Sequence, residues 1–293
     1  MNRVLFYLLI KPLSLLPLSV LYFLSNLFYY LIYYLMGYRR KVVEQNIQNS
    51  FPQYTNSDVN RVAKLFYRHL GDLIVESIRM FSMSEAEAVR RCRVRNPELL
   101  NRFFDAGRDI VLVGSHYGNW EITSIAFPSQ FKHKIASIFA KLKNVYFTDK
   151  ITQSRMRYGS DLITKDRLID GYYEEAHPKS VALGFISDQS PNYNKNKNYY
   201  WTNFLNQETV TAPGAERYAR KYNLPVVYVQ ILKQRRGYYE IELELVTDDP
   251  QSLAPGEITE RHLRCLERLI IRAPQYWLWS HRRWKHKKSH PDR

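Results

Sequence analysis

A chain of 293 residues, 45% of them hydrophobic, is long and apolar enough to bury a full core, and one large domain is its default organisation. Its two cysteines, Cys92 and Cys265, can build neither a disulfide framework nor a zinc site, so a staple-rich secreted fold is excluded and a reducing compartment is the natural setting. The formal net charge of +15 calls for an anionic partner: nucleic acid, an anionic membrane surface or an acidic protein.

The N-terminus narrows that choice. Residues 12–38 contain no Asp, Glu, Lys or Arg. The apolar stretch from Leu18 to Met36 is long enough to span, since about 20 helical residues cover a bilayer core. Pro17 suits the first turn of such a helix. Tyr29, Tyr30, Tyr33 and Tyr34 sit near its end, where aromatic side chains favour the membrane interface. Arg39, Arg40 and Lys41 follow directly, which by the positive-inside rule keeps the rest of the chain on the cytoplasmic side. A cleaved signal peptide fits poorly, because the apolar region is too long and ends in bulky residues. Residues 1–41 therefore read as a membrane anchor with a basic flank, and residues 42–293 as the working domain. A helix packed in the soluble body, or one lying in the interface, would show the same pattern.

Beyond the anchor, Val43 to Phe51 reads as a short helix ending near Pro52. Ser57 is expected to cap a second, long helix whose apolar face runs through Leu65, Phe66, Leu70, Leu73, Ile74 and Ile78. From Asp109 the pattern becomes α/β. Strands are predicted at 110–114, 134–139, 181–186, 226–232 and 238–246. Helices are predicted at 119–127, 144–158, 165–175, 212–222 and 257–272. Strands separated by helices predict a mostly parallel central sheet flanked by helices. Gln234-Arg235-Arg236-Gly237 reads as a hairpin turn between the last two strands. The polar stretch Pro191 to Asn203 reads as a loop, either an active-site lid or a solvated connection.

Four segments carry chemistry. The first is His116-Tyr117-Gly118-Asn119-Trp120-Glu121, which comes after the strand at 110–114. An imidazole has an ordinary pKa near 6.5, so it can take up and release a proton at cellular pH. A carboxylate beside it fixes its tautomer and stabilises the imidazolium. Positions five apart do not share a helix face, but Gly118 permits a tight turn before a helix starting at about Asn119. This makes His116 a general-base candidate with Glu121 as its orienting partner. A lone histidine at a strand end is, however, more often a packed or surface residue than a base.

The second segment, Arg155-Met156-Arg157-Tyr158-Gly159, is either a helix C-terminus with favourable cations and a glycine cap, or a guanidinium site for a phosphate or an oxyanion. The third, Asp188-Gln189-Ser190-Pro191, comes just after a strand. Polar residues there line the crevice of a parallel sheet, although Asp and Pro also simply make turns. The fourth, Gln275-Tyr276-Trp277-Leu278-Trp279-Ser280-His281-Arg282-Arg283-Trp284-Lys285, reads alone as an interfacial aromatic segment with a basic tail.

His116 and Glu121 match the H-x4-(D/E) motif of the glycerolipid acyltransferases. With the other three segments, in this order and behind an N-terminal apolar helix, the chain resembles the bacterial lipid A late acyltransferases, a family that also includes phosphatidylinositol mannoside acyltransferases. The long run from Gln275 to Lys285 carries most of that resemblance, which covers essentially the whole chain. Two departures, Phe204-Leu205-Asn206 where the family usually has Phe-Phe-Gly and Ala212-Pro213-Gly214 where a Thr-Gly pair is common, lie in the segment expected to face substrate. They leave the acceptor and the acyl chain open.

The resemblance implies a glycerolipid acyltransferase-like α/β fold on the cytoplasmic side of the bacterial inner membrane. The implied reaction moves a fatty acyl group from acyl carrier protein to a hydroxyl of a lipid A precursor. His116 would be the base and Glu121 its partner, with Arg155, Arg157, Asp188 and Gln189 on the substrate side, and with no metal or cofactor. A lysophospholipid, an aminolipid or another glycolipid is the alternative acceptor. Arg39, Arg40 and Lys41, and the tail residues Arg282, Arg283, Lys285, Lys287 and Lys288, could meet anionic lipid or the acidic carrier. A hydrolase built on Ser115 lacks a G-x-S-x-G elbow, and a nucleic-acid binder lacks any recognisable motif.

Overall fold

In the computed structural model, which describes residues 2–141, 143–175, 180–193 and 199–288, the chain folds around one seven-stranded sheet. Nine strands occur along the described chain: β1 (Cys92–Val94), β2 (Ile110–Gly114), β3 (Lys134–Phe139), β4 (Asp161–Thr164), β5 (Val181–Ile186), β6 (Tyr200–Phe204), β7 (Gln207–Thr211), β8 (Val226–Arg235) and β9 (Tyr238–Thr247). The main sheet has the order β1-β9-β8-β2-β5-β3-β4, and β6-β7 form a separate hairpin. Every neighbouring pair in the main sheet is parallel except β8–β9. This is the expected α/β architecture, with helices on both faces.

The central strand explains why both faces are covered. Alternate residues of a strand point to opposite sides. Along β2, Val111 and Val113 enter one apolar core while Ile110 and Leu112 enter a second on the other face. A strand buried on both sides reads as a continuous apolar run, as Ile-Val-Leu-Val does here.

Several boundaries differ from expectation. Thr55, two residues before Ser57, caps the Asn56–Met80 helix: its Oγ1 accepts from the Asp58 amide (3.2 Å), and the Asp58 carboxylate accepts from the Thr55 amide (3.1 Å). That reciprocal box satisfies two otherwise unpaired amides, which Ser57 could not do from inside the first turn. The helix expected at 165–175 is broken at Gly171, where φ is +105°. Part of the expected loop at 191–203 is strand β6, while residues 194–198 lie outside the described residues. The β6–β7 turn places Leu205 and Asn206 at φ of +50° and +60°, the two-residue geometry of a primed hairpin turn.

The N-terminal apolar segment is two helical stretches, residues 2–15 and Leu18–Leu35, separated by an extended residue at Leu16. The second lies along the Asn56–Met80 helix. Tyr22 Oη donates to Glu76 (2.8 Å), Ser25 Oγ to Asp72 (2.7 Å) and Tyr33 Oη to Asn60 (2.7 Å). Leu18, Leu21, Tyr29 and Tyr33 are buried in that contact, whereas Phe23, Leu27, Tyr34 and Leu35 on the opposite side are exposed.

Candidate active site

In the β2–β5 register, Gly114 sits opposite Ile186, the last residue of each strand. His116 and Asp188 each lie two residues further on, so parallel pairing brings them side by side at the C-terminal edge of the sheet. His116 Nδ1 lies 2.8 Å from Asp188 Oδ1. Asp188 Oδ2 accepts from the His116 backbone amide (3.1 Å) and from the Trp277 indole Nε1 (2.9 Å). The carboxylate is buried, and both of its oxygens are satisfied. With Nδ1–H donating to Asp188, the Nε2 lone pair is left to accept a proton. Gln189 Nε2 stands 3.2 Å from it.

The electrostatics reflect this geometry. Burial of the ring opposes its charging, but the charge of Asp188, its hydrogen bond and the more distant Glu121 outweigh that cost. The His116 pKa is therefore raised above its ordinary value. Burial likewise penalises ionised Asp188, yet His116 and the Trp277 indole hold its pKa below the usual carboxylate range.

Glu121, expected to orient His116, is engaged elsewhere. The Trp120–Ala126 helix starts once Asn119 Oδ1 accepts from the amides of Glu121 (3.0 Å) and Ile122 (3.1 Å). From that first turn the Glu121 side chain reaches Arg155, on the Val145–Met156 helix, in a bidentate pair: Nε to Oε2 at 3.0 Å and Nη2 to Oε1 at 2.7 Å. The carboxylate on His116 is thus Asp188. Trp120 takes the other side of the imidazole, edge to face at 4.9 Å between ring centres.

Arg157, expected on the substrate side, instead donates to the carbonyls of Met80 (2.8 Å), Met83 (2.7 Å) and Phe81 (3.1 Å). It satisfies the end of the Asn56–Met80 helix, where carbonyls lack intrahelical partners. Ser115 hydrogen-bonds with the Tyr228 hydroxyl (3.1 Å).

The His116 turn is fixed from two sides. Gly118 adopts φ of +65°, and a Cβ there would lie 2.8 Å from the Ile231 carbonyl oxygen. Its own carbonyl is 3.1 Å from His69 Nε2, whose other nitrogen is 3.3 Å from Lys233 Nζ. Burial and then Lys233 push the His69 pKa down to about 3, so the ring is neutral and donates to Gly118. Asn119 Nδ2 donates to buried Glu76 (2.6 Å), which also accepts from Tyr239 (2.8 Å).

The C-terminal segment supplies the second side. Tyr117 and Trp277 form an isolated antiparallel bridge, and the Gly118 amide donates to Tyr276 (3.0 Å). The Ser190 amide donates to His281 Nε2 (3.0 Å), and Trp284 Nε1 to Thr209 (2.7 Å). Trp277 and Trp279 are buried, and Arg283 is only 1% exposed. This segment is core rather than an interfacial belt, and Arg283 is not available to a lipid surface. Burial pulls the Arg283 pKa down to about 10. The role of Trp277 was not read from the sequence, although the specificity of its motif was the available signal.

His116, Glu121, Arg155 and Gln189 line one cavity of about 480 Å³. Much of the rest of its wall is apolar, including Phe127, Ile135, Phe139, Ile151 and Ile231. Apolar walls with a few convergent polar groups are the usual make-up of a small-molecule site. The cavity can hold a hydrocarbon chain and present its polar end to an imidazole.

A carboxylate-held histidine at the C-terminal edge of an α/β sheet, facing an apolar cavity, is an arrangement able to take up and release a proton beside an apolar ligand. Residues 3–286 match the model of the bacterial lipid A biosynthesis acyltransferase family, and the chain belongs to that family. It is similar to a lipid A biosynthesis palmitoleoyltransferase of Escherichia coli (strain K12), with 23% identity over 255 residues, or 84% of this chain and 79% of the relative. A lipid A biosynthesis acyltransferase of Shigella flexneri matches at the same identity and coverage.

Proposed function

We propose that this acyltransferase moves a fatty acyl group from acyl carrier protein to a hydroxyl of a lipid A precursor, at the cytoplasmic face of the bacterial inner membrane. The observation that carries this reading is the His116–Asp188 pair facing an apolar cavity in a member of this family. His116 Nε2 takes the proton of the acceptor hydroxyl while Asp188 stabilises the imidazolium. The oxygen attacks the thioester carbonyl, the tetrahedral intermediate expels the carrier thiolate, and the imidazolium returns the proton to that sulfur. Gln189 occupies the position that the hydroxyl takes and yields it on binding. Arg155, aligned by Glu121, provides positive charge toward an anionic oxygen of the acceptor or of the intermediate. The net charge of +15 favours an acidic carrier and a phosphorylated lipid.

Purified protein assayed with acyl-carrier-protein and acyl-coenzyme A donors, on a lipid A precursor and on a lysophospholipid, tests the reading. The lipid A precursor should be acylated from the carrier-bound donor. His116→Ala should lower turnover by about 10²–10⁴-fold in a folded protein. Near-normal turnover of that variant removes His116 from the mechanism, and acylation of the lysophospholipid alone transfers the assignment to that acceptor.

A further inference from the structure

The Leu18–Leu35 helix is long and apolar enough to cross a membrane, yet the chain before it and the chain after it hold the same body. Before it, Asn2 donates to Asn144 (3.3 Å), Lys150 to the Tyr7 hydroxyl (3.3 Å), Lys11 to the Phe81 carbonyl (3.2 Å) and Arg79 to the Ser14 carbonyl (2.8 Å). After it, Tyr67 donates to the Tyr38 carbonyl, and Arg39 to that of Ser280 (2.9 Å). Between these ends, Arg236 on the β8–β9 turn reaches the Asn26 side chain (3.0 Å) and Asp72 (2.6 Å).

A crossing helix must place about 30 Å of hydrocarbon between the chain segments at its two ends. Here no such layer fits, because Asn144 and Phe81 on one side, and Tyr67 and Ser280 on the other, belong to one domain. The Asn56–Met80 helix that runs alongside carries Arg61, Lys64, Arg68 and Asp72. Those charges would have to enter the hydrocarbon with it, which is costly.

We infer that residues 2–36 lie in the plane of a single leaflet, as an amphipathic pair of helices whose outer face is solvated by lipid chains. The inference rests on the membrane association proposed above. Its occupant is the acyl region of one leaflet of an anionic bilayer. Leu8, Leu9, Leu15, Phe23, Leu27 and Leu35 form the outer face, and each is at least half exposed. Cations border that face at both ends: Arg3 before it, and Arg39, Arg40 and Lys41 after it, while Lys11, between Leu9 and Leu15, turns its ammonium to the Phe81 carbonyl. This placement suits lipid phosphates at the level of the headgroups. The seat also puts the cavity beside the leaflet. Tyr7 and Phe6 pack on Lys150 and Tyr146 of the Val145–Met156 helix, and Thr148, Ile151 and Arg155 of that helix line the cavity.

The test uses the full-length protein in cells, with Arg3→Cys and Lys41→Cys as separate variants. A membrane-impermeant maleimide is applied to spheroplasts and to inverted inner-membrane vesicles. The native Cys92 and Cys265 are buried, so the wild type sets the background. In-plane seating predicts that both introduced thiols react in one preparation and that neither reacts in the other. Reaction of one thiol from each side would establish a true span and overturn the inference. Protein that does not sediment with membranes, whether as a monomer or as a dimer joined through this face, overturns both the seating and the membrane association while leaving the acyl-transfer assay to stand.

Discussion

At the scale of single residues, Asp188 controls His116 more closely than Glu121 does. It accepts from the imidazole and from the backbone amide of the same residue. A general base, the role proposed for His116, works in its neutral form, and Asp188 raises the imidazole pKa, so kcat/KM should rise with pH through a value above the ordinary 6.5. Asp188→Asn removes the charge that favours the imidazolium. That limb should move to lower pH while maximal kcat/KM falls by about 10²–10⁴-fold. A pH–rate profile in which the limb stays in place would detach Asp188 from the titration. Gly118 is the second sensitive residue. Gly118→Ala must place a side chain at φ of +65° and 2.8 Å from the Ile231 oxygen, so it should lose at least about 1–3 kcal/mol in urea unfolding. The sequence made His116 and the Gly118 turn legible, since a histidine after an apolar run and a glycine at the turn are local signals. The choice between Glu121 and Asp188 was not local. It depends on which strand pairs with β2, a contact between residues 72 positions apart.

At the scale of elements, β2, β3 and β5 could be read to the residue; β2, covered on both faces, is a continuous apolar run, and β3 and β5 keep apolar centres between polar or turn-forming flanks. Short pieces escaped. β1 and β4 have three and four residues, too few to show a period. β6 and β7 carry polar side chains on an isolated hairpin, so Pro191 to Asn203 read as loop. The Val145–Met156 helix illustrates the opposite case, an element found correctly whose inner face was not foreseen as a cavity wall. Ile151 lies on that wall, and Ile151→Trp should shorten the space available to a hydrocarbon chain. Acyl donors of different length, assayed side by side, should then show a shift in kcat/KM toward shorter chains with little change in thermal stability. An unchanged chain-length profile would place the acyl group outside this cavity.

For the molecule as a whole, the N-terminal segment is integrated rather than appended. Removing residues 1–36 strips Leu21, Tyr29 and Tyr33 from buried positions and leaves Glu76 and Asp72 without the Tyr22 and Ser25 hydroxyls. Burial of one leucine side chain is worth about 1.5–3 kcal/mol. The truncated protein should therefore unfold at a clearly lower temperature in detergent. An unaltered melting temperature would restore residues 1–41 as a detachable anchor. The opposite terminus has a comparable grip, since Trp277 donates to Asp188, and Tyr276 and Trp277 fasten the turn that carries His116. This has a consequence for biosynthesis. The histidine is made first and the indole that completes its carboxylate partner emerges later, by roughly ten to thirty seconds at about 5–20 residues per second. By the later part of that interval both His116 and Asp188 have been made, but Asp188 still lacks the indole hydrogen bond from Trp277. On the proposed membrane seat, the exposed apolar helices are therefore made long before the contact that completes the site, which forms only with the last stretch of translation.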